Sequence, residues 1–366
     1  MALVLAETFH KYVVAAAATD MAAANDDLAS NAWSVSNWGI SANGRFASSR
    51  VGIADSGTRT NRIRLGGFGI SGTTLIVECS VRWDQVDAEA ATNNAAPLIV
   101  ITNTTATQFH ACVGIVGGIL TLHRQISFTD ARDLNTSQIA VGNQRMSSGV
   151  WHRVQFKVDL VNSGDATLKL DGVTIATASA QDFSHNTSAT IDGIVLYGNQ
   201  DNTYFEDLIV MDGSGAAFND FKGDMRLELA LPDANGATVQ WTPTAGSNFQ
   251  TIDDALPLAA AAYDTDYISE ATTDEVNLSS HAAITASGAT TIHFAQLEVL
   301  GRADAAGDEV GLRVVSGATT DTGADMPLIN GTYRWRRKHW TVDPNTSAAW
   351  TVANINAAEW GVIKRV

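Results

Sequence analysis

The fold of this chain is best predicted from one stretch, Val150-Trp151-His152-Arg153-Val154-Gln155-Phe156-Lys157-Val158-Asp159-Leu160. Its alternate residues are apolar or neutral, with basic side chains between them, which is typical of a β-strand covered on one face. Two turn sequences follow, Asn162-Ser163-Gly164-Asp165 and Asp171-Gly172, and place Gly, Asn and Asp where hairpins need positive φ. We therefore expect antiparallel hairpins, of which Asp171-Gly172 closes the clearest.

Similar runs recur on both sides of this stretch. They predict strands at 62–65, 73–83, 97–102, 109–116, 119–124, 150–160, 166–170, 173–176, 189–197 and 204–211. The composition agrees, because 45% hydrophobic and 17% charged residues, with 30 Gly against 6 Pro, suit short strands joined by polar turns. At 366 residues the chain exceeds what one core usually serves, so two β-rich domains are expected.

The turn cluster Pro232-Asp233-Ala234-Asn235-Gly236 predicts the boundary between the two domains. Beyond it, further runs predict a smaller β-domain with strands at 237–241, 266–269, 291–303, 310–316, 332–341 and 361–366. One of these strands carries four basic side chains beside its aromatic residues: Arg334, Arg336, Arg337 and Lys338. They are candidates for an assembly interface with an acidic neighbour, or for a solvated edge that blocks unwanted sheet pairing.

The charge balance limits the partners. Thirty-nine acidic against 23 basic side chains give a formal net charge of −16, which repels phosphate backbones and anionic membranes. We expect neither nucleic acid nor a membrane as a partner. The N-terminal residues lack the basic start and long apolar run of a secretory signal, so no export is expected.

Several motifs near the domain junction and the C-terminus carry a family resemblance. They are Phe218-Asn219-Asp220-Phe221-Lys222-Gly223-Asp224, Met225-Arg226-Leu227-Glu228-Leu229, Gln240-Trp241-Thr242-Pro243, Gly246-Ser247-Asn248-Phe249, Trp350-Thr351-Val352 and Asn356-Ala357-Ala358-Glu359-Trp360-Gly361-Val362. Together they resemble tailed-bacteriophage virion proteins built around a concanavalin A-like, laminin-G-like jelly roll. The resemblance spans residues 9–361. It implies an all-β chain with a concanavalin A-like jelly-roll sandwich at 1–231, completed by a strand at 225–231, and a second, smaller β-sandwich at 232–366 for virion anchoring or assembly.

The resemblance also implies a role. We expect a non-enzymatic structural protein, an accessory tail or fibre-type protein whose jelly roll contacts host glycans or a neighbouring subunit. Other virion proteins and further copies of the chain are the expected partners, and the virion tail or capsid surface, assembled in the host cytoplasm, is the expected location. The alternatives are a capsid decoration protein or head fibre, and a carbohydrate-binding lectin or glycan-active enzyme.

No catalytic residues are expected. Glycoside hydrolases with this fold present carboxylates at alternate positions of one strand, as in Glu-x-Asp-x-x-Glu, because one carboxylate attacks the sugar and another protonates the leaving group. This chain has no such array. Glu206 and Asp207 are adjacent, and strand alternation places adjacent side chains on opposite faces.

A glycan site is predicted at Tyr197, Asn199, Asp201, Asn202 and Tyr204, where aromatic rings lie beside amide and carboxylate groups. The alternative is that the aromatic residues fill the core and the polar residues form only a hairpin loop.

Metal and thiol chemistry are not predicted. Calcium is left open, with oxygen ligands available from Asp165, Asp171, Asp192, Asp201, Asn202, Asp207 and Asp212, but these residues are equally typical of turns. Otherwise no cofactor is expected. Cys79 and Cys112 lie in two predicted strands and are expected to be buried free thiols, without the paired ligands of a zinc site.

Overall fold

The computed structural model describes residues 3–7, 35–36, 38–41, 45, 51–54, 62–70, 72–84, 96–102, 108–127, 134, 137–184, 191–198, 203–214, 217–254, 263–285 and 291–366. These residues are nearly all in β-strands or the turns between them, as predicted. The described chain forms two compact units, of which unit 1 extends to Leu227 and unit 2 begins at Glu228.

Unit 1 is a sandwich of two antiparallel sheets. Sheet A contains, in spatial order, β13 (Val173–Gln181), β12 (Gly164–Leu170), β11 (Trp151–Asp159), β6 (Thr74–Trp83), β15 (Thr203–Met211), β4 (Val51–Ala54) and β3 (Trp38–Ser41), and β1 (Leu3–Glu7) also pairs with β15. Sheet B contains β10 (Gln138–Arg145), β9 (Ile119–Ser127), β8 (Gln108–Val116), β7 (Ala96–Thr102), β14 (Ile191–Tyr197), β5 (Arg62–Ile70) and β2 (Val35–Ser36). Because the chain passes repeatedly from one sheet to the other, the predicted jelly-roll sandwich is confirmed.

The clearest predicted hairpin is confirmed. Asp171 and Gly172 have φ values of 51° and 82°, and Leu170 lies opposite Val173 in the β12–β13 ladder. Two consecutive positive φ values produce a turn whose twist matches the twist of the flanking strands.

The central strands of sheet A are covered on both faces, whereas the sequence pattern predicted one covered face. Val154 of β11 lies opposite Cys79 of β6 on the face that packs into the sandwich, and both are buried. Gln155 lies opposite Glu78 on the outer face, and these polar residues are buried as well. The cause is residues 218–227, whose backbone bonds to carboxylates on this outer face.

The strand predicted at 225–231 does not form. Among the described residues between Met211 and Pro232 there is no strand, and β15 pairs with β1 instead. The N–H of Leu227 donates to the side chain of Asp207 at 2.9 Å, so a carboxylate takes the place of a ladder partner. The predicted boundary cluster at 232–236 lies inside a strand, β16 (Pro232–Val239).

Unit 2 is a smaller sandwich. Its main sheet contains β16, β19 (Val276–His281), β25 (Glu359–Lys364), β21 (Glu309–Ser316) and β22 (Thr319–Thr322), with β23 (Met326–Pro327) also on β21. Two strand pairs complete the unit, β17 (Thr242–Pro243) with β18 (Ile268–Ser269) and β20 (Ala295–Gly301) with β24 (Arg334–Trp340). A 3₁₀ turn lies at Phe249–Thr251, and the helix α1 (Val352–Ala357) is N-capped by Thr351. Trp340, Trp350 and Trp360 pack on Leu312 in its core.

No helix in the described part of the chain is long and apolar enough to cross a membrane. Cys79 and Cys112 are buried free thiols, as predicted. The structure places Cys79 in β6 of sheet A and Cys112 in β8 of sheet B.

Candidate functional site

The outer face of sheet A presents rows of side chains across its central strands. Strand pairing aligns Trp151, Arg82 and Tyr204 in a first row, Arg153, Ser80 and Glu206 in a second, and Gln155, Glu78 and Ile209 in a third. Residues two apart on one strand share a face, so the three rows lie side by side. The first row is partly open to solvent and the other two are buried, so they are described separately.

The second and third rows form a buried polar cluster, defined by Glu78, Ser80, Arg153, Gln155, Glu206 and Asp207. Glu78 is its centre, because Oε2 accepts hydrogen bonds from Gln155 Nε2 at 2.9 Å and from Arg153 Nη2 at 3.5 Å. Arg153 also donates to the backbone carbonyl of Asp207 at 2.9 Å. These contacts join three strands that are separate in sequence.

A bulge in β15 brings Glu206 and Asp207 to the same cluster. The pairing with β6 shifts register between Glu206 and Ile209, and Asp207 has φ 50°. The backbone N–H of Arg45 donates to Glu206 Oε2 at 2.5 Å, while the guanidinium of Arg45 lies 3.9 Å from Asp207 Oδ2. The expectation that the two carboxylates point to opposite faces is therefore wrong, because the bulge breaks the alternation.

Burial controls the protonation of Asp207. Loss of solvent raises the pKa of this carboxyl group above its ordinary value of 3.8, although the N–H of Leu227 and the charges of Arg153 and Arg45 act in the opposite direction. Asp224 differs, because its hydrogen bonds with Arg45 lower the pKa of its carboxyl group.

Residues 218–227 cross the cluster, and we name them the strap. The N–H of Lys222 donates to Glu78 Oε1 at 2.6 Å. Two ion pairs also hold the strap, Arg45 with Asp224 at 2.6 and 2.5 Å and Lys157 with Asp220 at 3.4 Å. The carboxylates that face outward from sheet A are therefore bound by the chain itself.

The first row, with Asp84 at its end, forms a partly exposed surface that we name the aromatic row: Trp151, Arg82, Tyr204 and Asp84. The guanidinium of Arg82 lies 5.1 Å from the ring centroid of Tyr204, and the ring of Trp151 meets Tyr204 edge-on at 6.4 Å. Arg82 also binds Asp84 through two hydrogen bonds of 2.9 and 2.8 Å. The Arg82 and Asp84 side chains are each 29% exposed, so this ion pair faces solvent.

The predicted glycan residues are only partly described. Tyr204 belongs to the aromatic row, but the residue is 7% exposed, and Tyr197 is 2% exposed on β14 of the other sheet. Asn199, Asp201 and Asn202 lie outside the described residues, so their assignment stays a prediction. Trp151, Arg82 and Asp84 were not predicted.

The basic residues of β24 have partners within unit 2. Arg336 donates to the carbonyl of Pro327 through Nε at 2.9 Å, and its side chain is largely buried. Arg337 lies 3.7 Å from a Glu298 carboxylate, and Lys338 lies 3.1 Å from an Asp321 carboxylate. Arg334 is partly exposed at the start of the strand. An assembly interface at these four residues stays a prediction.

Several members of the calcium pool accept hydrogen bonds from backbone N–H groups. Asp165 accepts from the N–H of Ala180, Asp171 from the N–H of Arg153 and Asp212 from the N–H of Ser214. Among the residues that the structure describes, no three His, Cys, Asp or Glu side chains are grouped to hold a metal ion.

The sequence matches no family model and no curated protein. Solved structures with a similar fold include an endo-β-1,4-glucuronan lyase from the fungus Trichoderma reesei (14% identity, 50% of this chain and 91% of that chain, TM-score 0.34). They also include the alginate lyase Aly36B (11%, 56% and 95%, TM-score 0.36). A third is the carbohydrate recognition domain of Emp46p, with metal-free and potassium-bound forms (8%, 48% and 88%, TM-score 0.33 for the latter).

These similarities correct one expectation. The sequence predicted a protein that is not an enzyme, whereas two of the structures above are glycan lyases. The grouping of Glu206 and Asp207 on one face also removes a geometric reason given for that exclusion. At TM-scores below 0.5 the likeness assigns neither an activity nor a ligand to this chain.

Proposed function

We propose that unit 1 binds a glycan along the aromatic row, and that the chain is a tailed-phage virion protein that uses this surface on its host. The observation that carries the glycan site is the stack of Arg82 on Tyr204 beside Trp151, open to solvent at the Arg82–Asp84 pair. The virion role is supported by the sequence resemblance at the domain junction and the C-terminus.

The chemistry of the row suits a sugar. Trp151 is partly exposed, and its ring can offer an apolar face to the C–H side of a pyranose, while the buried Tyr204 supports Arg82 from below. The Arg82–Asp84 pair adds fixed donors and acceptors for hydroxyl groups. All four residues lie on or directly after strands of sheet A, so little order has to be gained when a ligand binds.

A binding assay with a matched control tests the glycan site. The full chain is applied to an array that contains neutral hexose tetrasaccharides, uronate tetrasaccharides and bacterial surface polysaccharides. We expect Trp151→Ala to weaken binding about tenfold or more, as for an aromatic anchor. Val173→Ala, which truncates an exposed side chain elsewhere on sheet A, should bind like the wild type. Binding that is unchanged in Trp151→Ala would exclude the aromatic row.

The virion role is tested separately. An antibody against the recombinant chain should label purified phage particles of the genome that encodes it, and electron microscopy should place the label at the tail or on the head. Particles that contain none of the chain would contradict the virion role and leave the glycan site to be judged by binding alone.

A further inference from the structure

Two buried atoms beneath the strap lack hydrogen-bond partners among the described residues: Arg153 Nε and Gln155 Oε1. Their residues are 3% and 1% exposed, and Arg153 Nη2 and Gln155 Nε2 both donate to Glu78 Oε2. One atom is a donor and the other an acceptor. A buried polar atom without a partner is destabilising, so this pair is suited to a group that both accepts and donates.

The strap donates one backbone hydrogen bond to the Glu78 carboxylate, and a ligand could donate the same bond. Glu78 Oε1 accepts from the N–H of Lys222 at 2.6 Å, which is a neutral donor. If Lys222 moved away, Glu78 Oε1 would need another donor, and a hydroxyl group can supply one. Three atoms would then be open to a ligand: Glu78 Oε1, Gln155 Oε1 and Arg153 Nε.

The strap has buried anchors on either side of an exposed middle. Phe218 is 1% exposed and Met225 is 7% exposed. Between them, the side chains of Asp220 and Asp224 are 67% and 58% exposed. The ion pair of Asp220 with Lys157 is of a kind that contributes little, whereas Asp224 binds Arg45 through two hydrogen bonds and holds the strap more firmly. Gly223, at φ 85°, has no atom within 4 Å of where a Cβ would lie. Between the anchors, residues 219–224 are therefore held by the Lys222–Glu78 hydrogen bond, by the two ion pairs and by the Phe221 ring, which lies 4.5 Å from Lys169 Nζ.

We propose that residues 219–224 form a flap over a second glycan subsite, which takes two adjacent hydroxyl groups of a neutral hexose. This inference rests on the proposed function, because the subsite lies in the rows next to the aromatic row. One hydroxyl accepts from Arg153 Nε and donates to Gln155 Oε1. Its neighbour donates to Glu78 Oε1 in place of the N–H of Lys222.

The charges select a neutral sugar. Glu78, Glu206 and Asp207 face this cluster, with Arg45 and Arg153 as the basic groups among the described residues that touch it. Asp207 is desolvated, and a second anion nearby would add repulsion to the cost of its own burial. A uronate or phosphate is therefore disfavoured relative to a hexose.

The test releases the flap without touching the subsite. The double variant Asp220→Ala and Asp224→Ala removes both ion pairs of the strap and leaves Glu78, Arg153 and Gln155 intact. Only molecules with an open flap bind the sugar, so the apparent affinity is proportional to the fraction of molecules that are open. The double variant should raise that fraction, and we expect the neutral tetrasaccharides to bind about three- to tenfold more tightly. Asp304→Ala, which removes one exposed partner of Arg302 in unit 2, is the matched control and should not change binding.

Amide hydrogen exchange gives a second measurement. Lys222 should exchange faster in the double variant than in the wild type. Adding a neutral tetrasaccharide should speed exchange at Lys222 further, because the sugar replaces its N–H at Glu78 Oε1, while the N–H of Leu227, which donates to Asp207, stays protected. If Trp151→Ala weakens binding but the double variant has wild-type affinity and sugar leaves Lys222 unchanged, the subsite holds only an ordered water and the inference fails alone. Binding of uronates as tightly as hexoses would also contradict it. If no sugar binds any variant, the proposed function fails with it.

Discussion

The main-chain N–H of Lys222 donates a 2.6 Å hydrogen bond to Glu78 Oε1, across 144 positions of sequence. Glu78 lies in the middle of sheet A, and Lys222 belongs to the segment that leaves the last strand of unit 1. This contact explains how a glutamate with no solvent exposure is tolerated on an outer sheet face, since a backbone donor replaces the lost water.

Removal of the Glu78 carboxylate should destabilise unit 1. Glu78→Ala leaves Arg153 as a buried charge with less compensation and removes the acceptor for Gln155 and Lys222. We expect a loss of about 3–5 kcal/mol in the free energy of unfolding, and a smaller loss for Glu78→Gln, which keeps an acceptor oxygen. Urea unfolding measures both. Glu228→Ala, at an exposed position, is the control and should stay within about 0.5 kcal/mol of the wild type.

Asp207 and Asp224 should give opposite pH dependences. The folded-state pKa of Asp207 is raised above 3.8, so the folded protein binds its proton more tightly, and stability falls as pH rises from 3.8 through the raised pKa. The wild type should therefore lose stability relative to Asp207→Asn over that window. The pKa of Asp224 is lowered, so its contribution is present above 3.8 and is lost as pH falls through the lowered value.

Urea unfolding of the wild type, Asp207→Asn and Asp224→Asn in steps from pH 3 to pH 7 measures these differences. Asn suits the first site because it tolerates the positive φ of residue 207. A wild-type advantage over Asp207→Asn that grows with rising pH would show that the sign is wrong.

The stability of the Asp171-Gly172 turn should depend on the backbone conformation of Gly172 and not on the room for a side chain there. Gly172 has φ 82°, and no atom lies within 4 Å of an added Cβ. Gly172→Ala should cost about 1–2 kcal/mol, the penalty for a left-handed conformation. Gly172→Asn should cost less, because Asn adopts this region more readily. Equal thermal shifts for the two variants would count against this cause.

The thiols should be unreactive in the folded protein. Burial raises the pKa of Cys79 to about 12 and raises that of Cys112 further. Because the thiolate is the reactive species, a disulfide reagent at pH 8 should label neither thiol in the native state and both in denaturant. Rapid labelling of one thiol in native protein would show that its strand opens locally, and peptide mapping would identify it.

The strands of unit 1 could be predicted because alternation and turn residues are local signals. The hairpin at Asp171-Gly172 and the buried Cys79 follow from such signals. Local signals also explain one failure, since the Asn and Gly of the 232–236 cluster are typical of a turn but lie within β16. There, pairing with β19 outweighs the local preference.

The site was harder to predict because it depends on contacts between distant residues. Arg153 and Gln155 are polar and two positions apart, which predicts a solvated face of β11. Only the strap, more than 60 residues further along the chain, shows why that face is buried. The bulge at Asp207 was missed for a similar reason, since an Asp with positive φ inside an apolar run leaves little trace in periodicity. Trp151 and Arg82 could have been found from the sequence pattern, because each lies at an outward-facing position of its strand.

The strap also determines where unit 1 can be cut for separate expression. A fragment that stops at the end of β15 contains every strand of the sandwich, but it exposes Glu78 without its backbone donor and removes the donor to Asp207. A complete unit 1 therefore extends beyond its last strand to Leu227. Recombination that moves unit 1 between genes would have to include the codons up to Leu227.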